Sequence, residues 1–349
     1  MRLPGGTFST GYNQELAIIR TRLQWVLLIA FLLLMVGLPL YAGPYLLRIV
    51  CGIGITAVAV LGLNILIGYC GQISLGHAAF VATGAYASAI LTTKLGVSFW
   101  LALPCAGICA ALTGIIFGLP ALRIKGLHLA LTTLAAHYII MYAISHATNI
   151  TGGTAGIQAT RPNFFGISLE PLKSYYYVIL AITIIMTFFS RNFLRTKIGR
   201  SFVAIRDNDK AAEIMGINLA SYKILAFALG CFYAGIAGSL WAHYAEVIDP
   251  DHFLLTHSIW YVGMLIVGGM GSNAGVFFGV IFLRLIEVMA TEIGPILANL
   301  PLLSVGVAAS FAQFIFGLII ILFLVYEPRG LAHRWEVFKT SYRMWPFPY

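Results

Sequence analysis

Apolar runs at roughly 23–42, 45–67, 79–95, 99–120, 127–147, 174–190, 224–244, 258–268, 275–290 and 305–326 take up most of this chain. About 20 apolar residues in a helix span a hydrocarbon core of about 30 Å, and most of these runs have that length. In lipid, a segment must satisfy its own backbone groups, so runs like these can only be helices. Composition agrees: 60% of residues are hydrophobic, 9% are charged, and the mean hydropathy is +0.91. The expected fold is an all-α polytopic membrane protein of about ten helices, some of them broken or re-entrant. In 349 residues such a fold leaves no room for a soluble catalytic domain.

Charge sets the orientation. A formal net charge of +9 on a soluble protein would point to nucleic acid, but here the basic residues sit at the ends of apolar spans. With ten crossings and the N-terminus inside, Arg2, Arg20, Arg22, Arg123, Lys125, seven residues between 191 and 223, Arg329, Arg334, Lys339 and Arg343 all face the cytoplasm. Only Arg48, Lys94, Arg161 and Lys173 face out, and Arg284 lies within a span. The positive-inside rule therefore places both termini in the cytoplasm. The expected parts are an N-terminal segment 1–22, a membrane domain 23–326 and a cytoplasmic tail 327–349. The first apolar run is long for a signal peptide, and Pro44 suits a cleavage site near Ala42 poorly, so it reads as an uncleaved helix.

Two stretches interrupt apolar sequence with glycine and polar residues. One runs from Asn64 through Gly68, Gly71, Gln72, Ser74 and Gly76 to His77; the other is Gly268-Gly269-Met270-Gly271-Ser272. Non-helical backbone at membrane depth survives only inside protein or beside a wet cavity, which makes such breaks pointers to a transport path. Close packing through small residues is the competing explanation. Asn64, Gly71, Gln72, Ser74, His77, Gly268, Gly271 and Ser272 are the expected path residues. The loose match of Ile67-Gly68-x-x-Gly71 to Val267-Gly268-x-x-Gly271 reads as chance, because both runs head inward.

Arg284 and Glu287 lie three apart on one helical face and are expected to form a structural ion pair, since an isolated intramembrane charge costs about 2.5–3.5 kcal/mol. Cys51, Cys70, Cys105, Cys109 and Cys231 all fall in apolar sequence and read as small core residues. The histidines show no metal-site spacing, and His128 and His137 read as packing or interfacial residues. Thr151-Gly152-Gly153-Thr154-Ala155-Gly156 follows no strand, and no Gly-Lys dipeptide occurs in the chain, so a phosphate loop is absent. The chain calls for no cofactor and no metal, and its energy must come from elsewhere.

The polar island from Arg191 to Lys223 holds seven of the 21 basic residues. Within it Asn208 or Asp209 is placed to cap a short helix, Gly216 to end it, and Asn218 to cap the helix that follows. Ala211, Ala212, Ile214 and Met215 are then available for contact, which marks a docking surface for a cytoplasmic partner.

These residues also carry a resemblance. Asn64–Phe80, Thr151–Gly156, Gly199–Asn208, Gly216-Ile217-Asn218, Tyr222–Phe227, Ala234–Gly238, Gly268–Ser272 and Glu327–Leu331 resemble permease subunits of high-affinity branched-chain amino acid ABC importers of the LivM type. The match runs from about residue 50 to 331, with Cys70 standing where such permeases usually carry a small residue. It implies a non-catalytic subunit in a bacterial or archaeal inner membrane, moving leucine, isoleucine and valine. The implied partners are a second permease subunit (LivH type), two ATP-binding subunits, and a periplasmic or lipid-anchored binding protein. The island then becomes a coupling loop, with Arg206, Asp207, Asn208, Ala211, Ala212, Glu213, Met215 and Gly216 at the ATPase. Urea and short-chain amide permeases share the family. An ion-coupled secondary transporter, which also uses broken helices, is disfavoured by the few ionisable residues in the spans. A membrane-embedded enzyme is disfavoured by the lack of paired carboxylates or an activated nucleophile there.

Overall fold

The computed structural model describes residues 22–344, apart from 123, 125, 160–161, 165–166, 169–171, 299–304 and 328. Arg2, Arg20, Arg123, Lys125 and Arg161 of the charge count, and the expected segment 1–22 except its last residue, lie outside the described residues. The helices are α1 (Arg22–Tyr41), α2 (Pro44–Leu63), α3 (His77–Thr93), α4 (Phe99–Gly118), α5 (Leu127–His146), α6 (Leu172–Arg195), α7 (Lys197–Asp207), α8 (Asp209–Ile214), α9 (Leu219–Ala245), α10 (Leu255–Gly268), α11 (Asn273–Ala298), α12 (Val305–Tyr326) and α13 (Gly330–Met344). Every apolar run of the sequence carries one of α1–α6 or α9–α12. Among the described residues, six helices are long and apolar enough to cross a membrane: α2 with its extension to Tyr69, α4, α5, α6, α9 and α11. α3 has 17 residues and α10 only 14, so neither crosses a bilayer alone.

α9 is the centre of the bundle and packs against α2, α3 and α4. Its buried positions include Phe227, Cys231, Ala234, Ala237 and Leu240. Lipid tails are as apolar as leucine, so helices here are held by close contact and not by escape from water. Glycines supply the contact. A Cβ on Gly84 of α3 would lie 2.3 Å from the Cα of Gly235, and one on Gly238 would lie 2.0 Å from the Val81 carbonyl. Polar groups add ties: Ser88 Oγ lies 2.8 Å from Ser239 Oγ and 3.0 Å from His243 Nε2. Tyr233 donates to the Met186 carbonyl at 3.0 Å and joins α9 to α6.

Short strands, absent from the all-α expectation, close one end of the bundle. Ile157–Gln158 pairs antiparallel with Val247–Ile248, and Asn163–Phe164 pairs with Ile167–Ser168. The glycine-rich block before the first ladder is a tight turn, with Gly152, Gly153 and Gly156 all at positive φ. Of the five cysteines expected in the core, Cys51, Cys70 and Cys231 are buried, while Cys105 and Cys109 lie on the outer face of α4. A thiol is apolar enough for a lipid-facing position, so hydropathy alone does not separate the two settings.

Candidate translocation site

The first glycine break is a helix that stops and restarts within the bundle. α2 runs on as a π-helical stretch, Asn64–Tyr69, in which Cys70 N donates to the Ile65 carbonyl at 3.2 Å. The chain then turns back without helix until His77. His77 Nε2 lies 2.9 Å from the Ala59 carbonyl, about ten residues and so about 15 Å back along α2 from Tyr69. α3 therefore starts deep inside the bundle. Its entry is satisfied by other helices: Leu75 N donates to Thr133 Oγ1 at 3.0 Å and Ala78 N to Ser258 Oγ at 2.9 Å. Gly76 permits this approach, because a Cβ there would meet the Thr133 carbonyl at 2.2 Å.

The second break has a different form. Gly268–Ser272 is the turn of the α10–α11 hairpin, with Gly269 and Gly271 at φ +110° and +79°. It sits on the same side as the polar island and supports Gly330 at the start of α13, whose added Cβ would lie 2.5 Å from Gly269 N. An apolar run ended by glycines looks the same in sequence whether the chain continues unwound or turns back as a hairpin.

The two breaks meet. Asn64 is fully buried; its Oδ1 accepts from Gly271 N at 2.9 Å and its Nδ2 donates to Asn273 Oδ1 at 3.3 Å. A Cβ on Gly68 would fall 2.6 Å from Gly271 N, so this contact needs glycine. The island joins the same point: Arg206 Nη1 donates to the Gly68 carbonyl at 2.9 Å, while its Nε and Nη2 hold Asp207 Oδ1 at 3.0 and 2.9 Å. The loose sequence match between the breaks is not what pairs them, since Gly68 faces Gly271 and not Gly268.

The island contains two helices. α7 is capped by Thr196, a signal the sequence reading passed over. In α8 the Asn208 side chain accepts from Ala211 N at 3.1 Å, and Gly216 leaves the helix at φ +84°. Ala211, Glu213, Ile214, Met215 and Gly216 are exposed, Ile214 and Met215 at 85% and 81%. Ala212 departs from the expectation that it is available for contact: at 3% exposure it faces the chain's own core. One side of so short a helix has to rest on the bundle, and helical position alone does not say which.

Among the described residues, one cavity, the inner one, borders this junction, and another, the outer one, opens along α5. The inner one, about 320 Å³, is lined by Gly71, Gln72, Arg206, Asp207, Asn208 and Lys223 among others. The outer one, about 840 Å³, follows α5 from His137 to Ser145 and faces the segment from Pro250 to Thr256. Of the expected path residues, Gly71 and Gln72 reach a cavity. Asn64 is the clamp, and Ser74 and His77 are fully buried and line neither cavity. Ser272 Oγ accepts from Gly275 N at 3.2 Å within the hairpin turn, while Gly268 lies against the Gly275 carbonyl. The outer cavity went unseen in the sequence because it is formed by a face of one helix and a distant loop. Away from both cavities, Arg284 Nη1 donates to Glu287 Oε2 at 2.8 Å and Nη2 to Thr56 Oγ1 at 2.9 Å.

With this geometry in place, comparison with known proteins is informative. The family model described as branched-chain amino acid transport system / permease component matches residues 45–324. The high-affinity branched-chain amino acid transport system permease protein LivM of Escherichia coli is 29% identical over 332 residues, spanning 88% of this chain and 75% of that protein. A probable LivM of Methanocaldococcus jannaschii is 26% identical over 234 residues, 66% of this chain and 67% of that protein. The autoinducer 2 import system permease protein LsrC of Salmonella typhi is 26% identical over 239 residues, 65% of this chain and 63% of that protein. No solved structure matches the chain. The matched region covers the π-helical break, the hairpin turn, both cavities and the polar island, and the chain belongs to the permease component family of branched-chain amino acid transport systems.

Proposed function

We propose that this chain is the LivM-type membrane subunit of an ABC importer, passing leucine, isoleucine and valine across a bacterial or archaeal inner membrane. ATP is hydrolysed in two partner subunits, a second permease subunit of the LivH type completes the path, and a binding protein, periplasmic or lipid-anchored, delivers the solute. The chain itself is not catalytic. The observation that carries this reading is the Arg206 joint: one guanidinium ties α7, the island helix that leads directly into α8, to the carbonyl of Gly68, at the point where the two glycine breaks meet. A push on α8 from outside the membrane is passed through α7 and Arg206 to the π-helical end of α2, just before the non-helical chain that leads to α3.

The same reading sets the topology at ten crossings, with α3 and α10 completed by non-helical segments and the island on the cytoplasmic side. Among the relatives, a protein named for autoinducer 2 import shares much of this chain, so the fold alone does not choose the solute. The amino-acid reading rests on the longer and stronger LivM match. The test is uptake of labelled leucine and labelled urea by the whole complex with its own binding protein. Leucine uptake that depends on ATP supports the reading; urea uptake without leucine uptake overturns the substrate and keeps the permease.

A further inference from the structure

We propose that the outer cavity binds the transported amino acid as a zwitterion, with its carboxylate at the N-terminus of α10, its ammonium at Asp251 and its aliphatic side chain against Ile139 and Leu254. This rests on the branched-chain amino acid reading above and adds a site within the permease itself. α10 is 14 residues long and begins at Leu255, inside the wall of the cavity, with no side chain capping its first turn. The Leu255 and Thr256 amides are among the first N–H groups of a helix, which have no acceptor within it and carry the positive end of the helix dipole. His257 N, the next in line, already donates to the Leu254 carbonyl at 2.9 Å.

A second observation on the opposite wall points the same way. His137 lines the cavity from α5, is 2% exposed, and its Nδ1 has no hydrogen-bond partner among the described residues. A buried ring nitrogen without a partner is costly unless something polar arrives to meet it. Asp251 supplies the one acidic side chain in the same lining, and Tyr138, Tyr142 and Ser145 add hydroxyls along α5. Such groups suit water and solute better than lipid tails. Between them lie Ile139, Met141, Leu254 and Leu255, an apolar wall for a branched side chain. A helix end, a carboxylate and an apolar surface in one cleft match the three parts of an aliphatic amino acid. Selectivity for the zwitterion follows, because either half alone leaves one charged contact unmade.

The site also leads inward. A Cβ on Gly76, the residue before α3, would lie 3.5 Å from the His137 Cβ, so the wall residue His137 packs against the start of the broken helix.

The experiment uses the reconstituted complex with all its subunits. A diazirine analogue of leucine is photolysed on the complex without binding protein, and the labelled peptides are mapped. Label is expected on 137–145 and 250–256, competed by leucine but not by leucinamide, which lacks the carboxylate. Label outside both segments, or equal competition by leucinamide, overturns the site. In parallel, Asp251→Asn is expected to lower leucine uptake, per complex in the membrane, by about tenfold. A fall of less than about threefold also overturns it. If the unaltered complex labels as expected yet imports no leucine, the proposed substrate fails and the zwitterion site stands for another amino acid.

Discussion

At the scale of single residues, Asn64 shows how little chemistry holds the junction together. One amide side chain accepts from Gly271 N and donates to Asn273, so two elements more than 200 residues apart share it. Asn64→Leu leaves a buried N–H without an acceptor, a loss of about 1–3 kcal/mol. The expected result is a lower melting temperature of the solubilised complex together with reduced uptake. Glycine packing makes a sharper test, because it sets two similar substitutions against each other. Gly238→Ala drives a Cβ toward the Val81 carbonyl and should destabilise by about 1–3 kcal/mol through overpacking. Gly52→Ala, in α2 with nothing within 4 Å of its Cβ, should be neutral or slightly stabilising. Equal melting temperatures for the two would remove the close-packing argument for α3 and α9.

Among the elements, α8 has two faces with different duties. Its outer side presents Ile214 and Met215 to solvent, where the proposed ATP-binding partner would cover them. Met215→Glu and Ile214→Glu should cut uptake and substrate-stimulated ATPase while the protein still reaches the membrane. Ala212→Glu acts differently, because its side chain would enter the chain's own core, and the amount of folded protein should fall instead. Comparing membrane abundance with ATPase stimulation separates the two; coupling retained in both outer-face variants would rule out α8 as the docking helix. α8 and the start of α9 were readable in sequence through Asn208, Gly216 and Asn218, whose roles depend only on neighbouring backbone, while α7 and its Thr196 cap were not. Which face of α8 is free was not, because that depends on what lies beneath it.

For the whole molecule, the topology is the open prediction. Among the described residues six helices are long and apolar enough to cross, and ten crossings require in addition α1 and α12, together with α3 and α10 completed by non-helical chain. Reporters fused at both termini and inserted beside Met215 should all report the cytoplasmic side. Insertions near Gly96 should report the opposite side. A terminus on the far side from Met215 would end the ten-crossing scheme and leave the permease family intact.

The sequence alone determined the class of molecule, the helices on its ten apolar runs and the polar island with its short helix α8, because those follow from local quantities: run length, mean hydropathy and capping residues. It located both glycine breaks for the same reason. Their different natures, a helix restarting at depth near His77 and a hairpin turn at Gly268–Ser272, were decided only by tertiary structure. So were the Asn64 clamp, the Arg206 joint and the cavity between His137 and Thr256. Each of these joins residues far apart in the chain through a few hydrogen bonds or a shared gap. No local pattern encodes such a meeting, because the free energy that favours it exists only once the helices have packed.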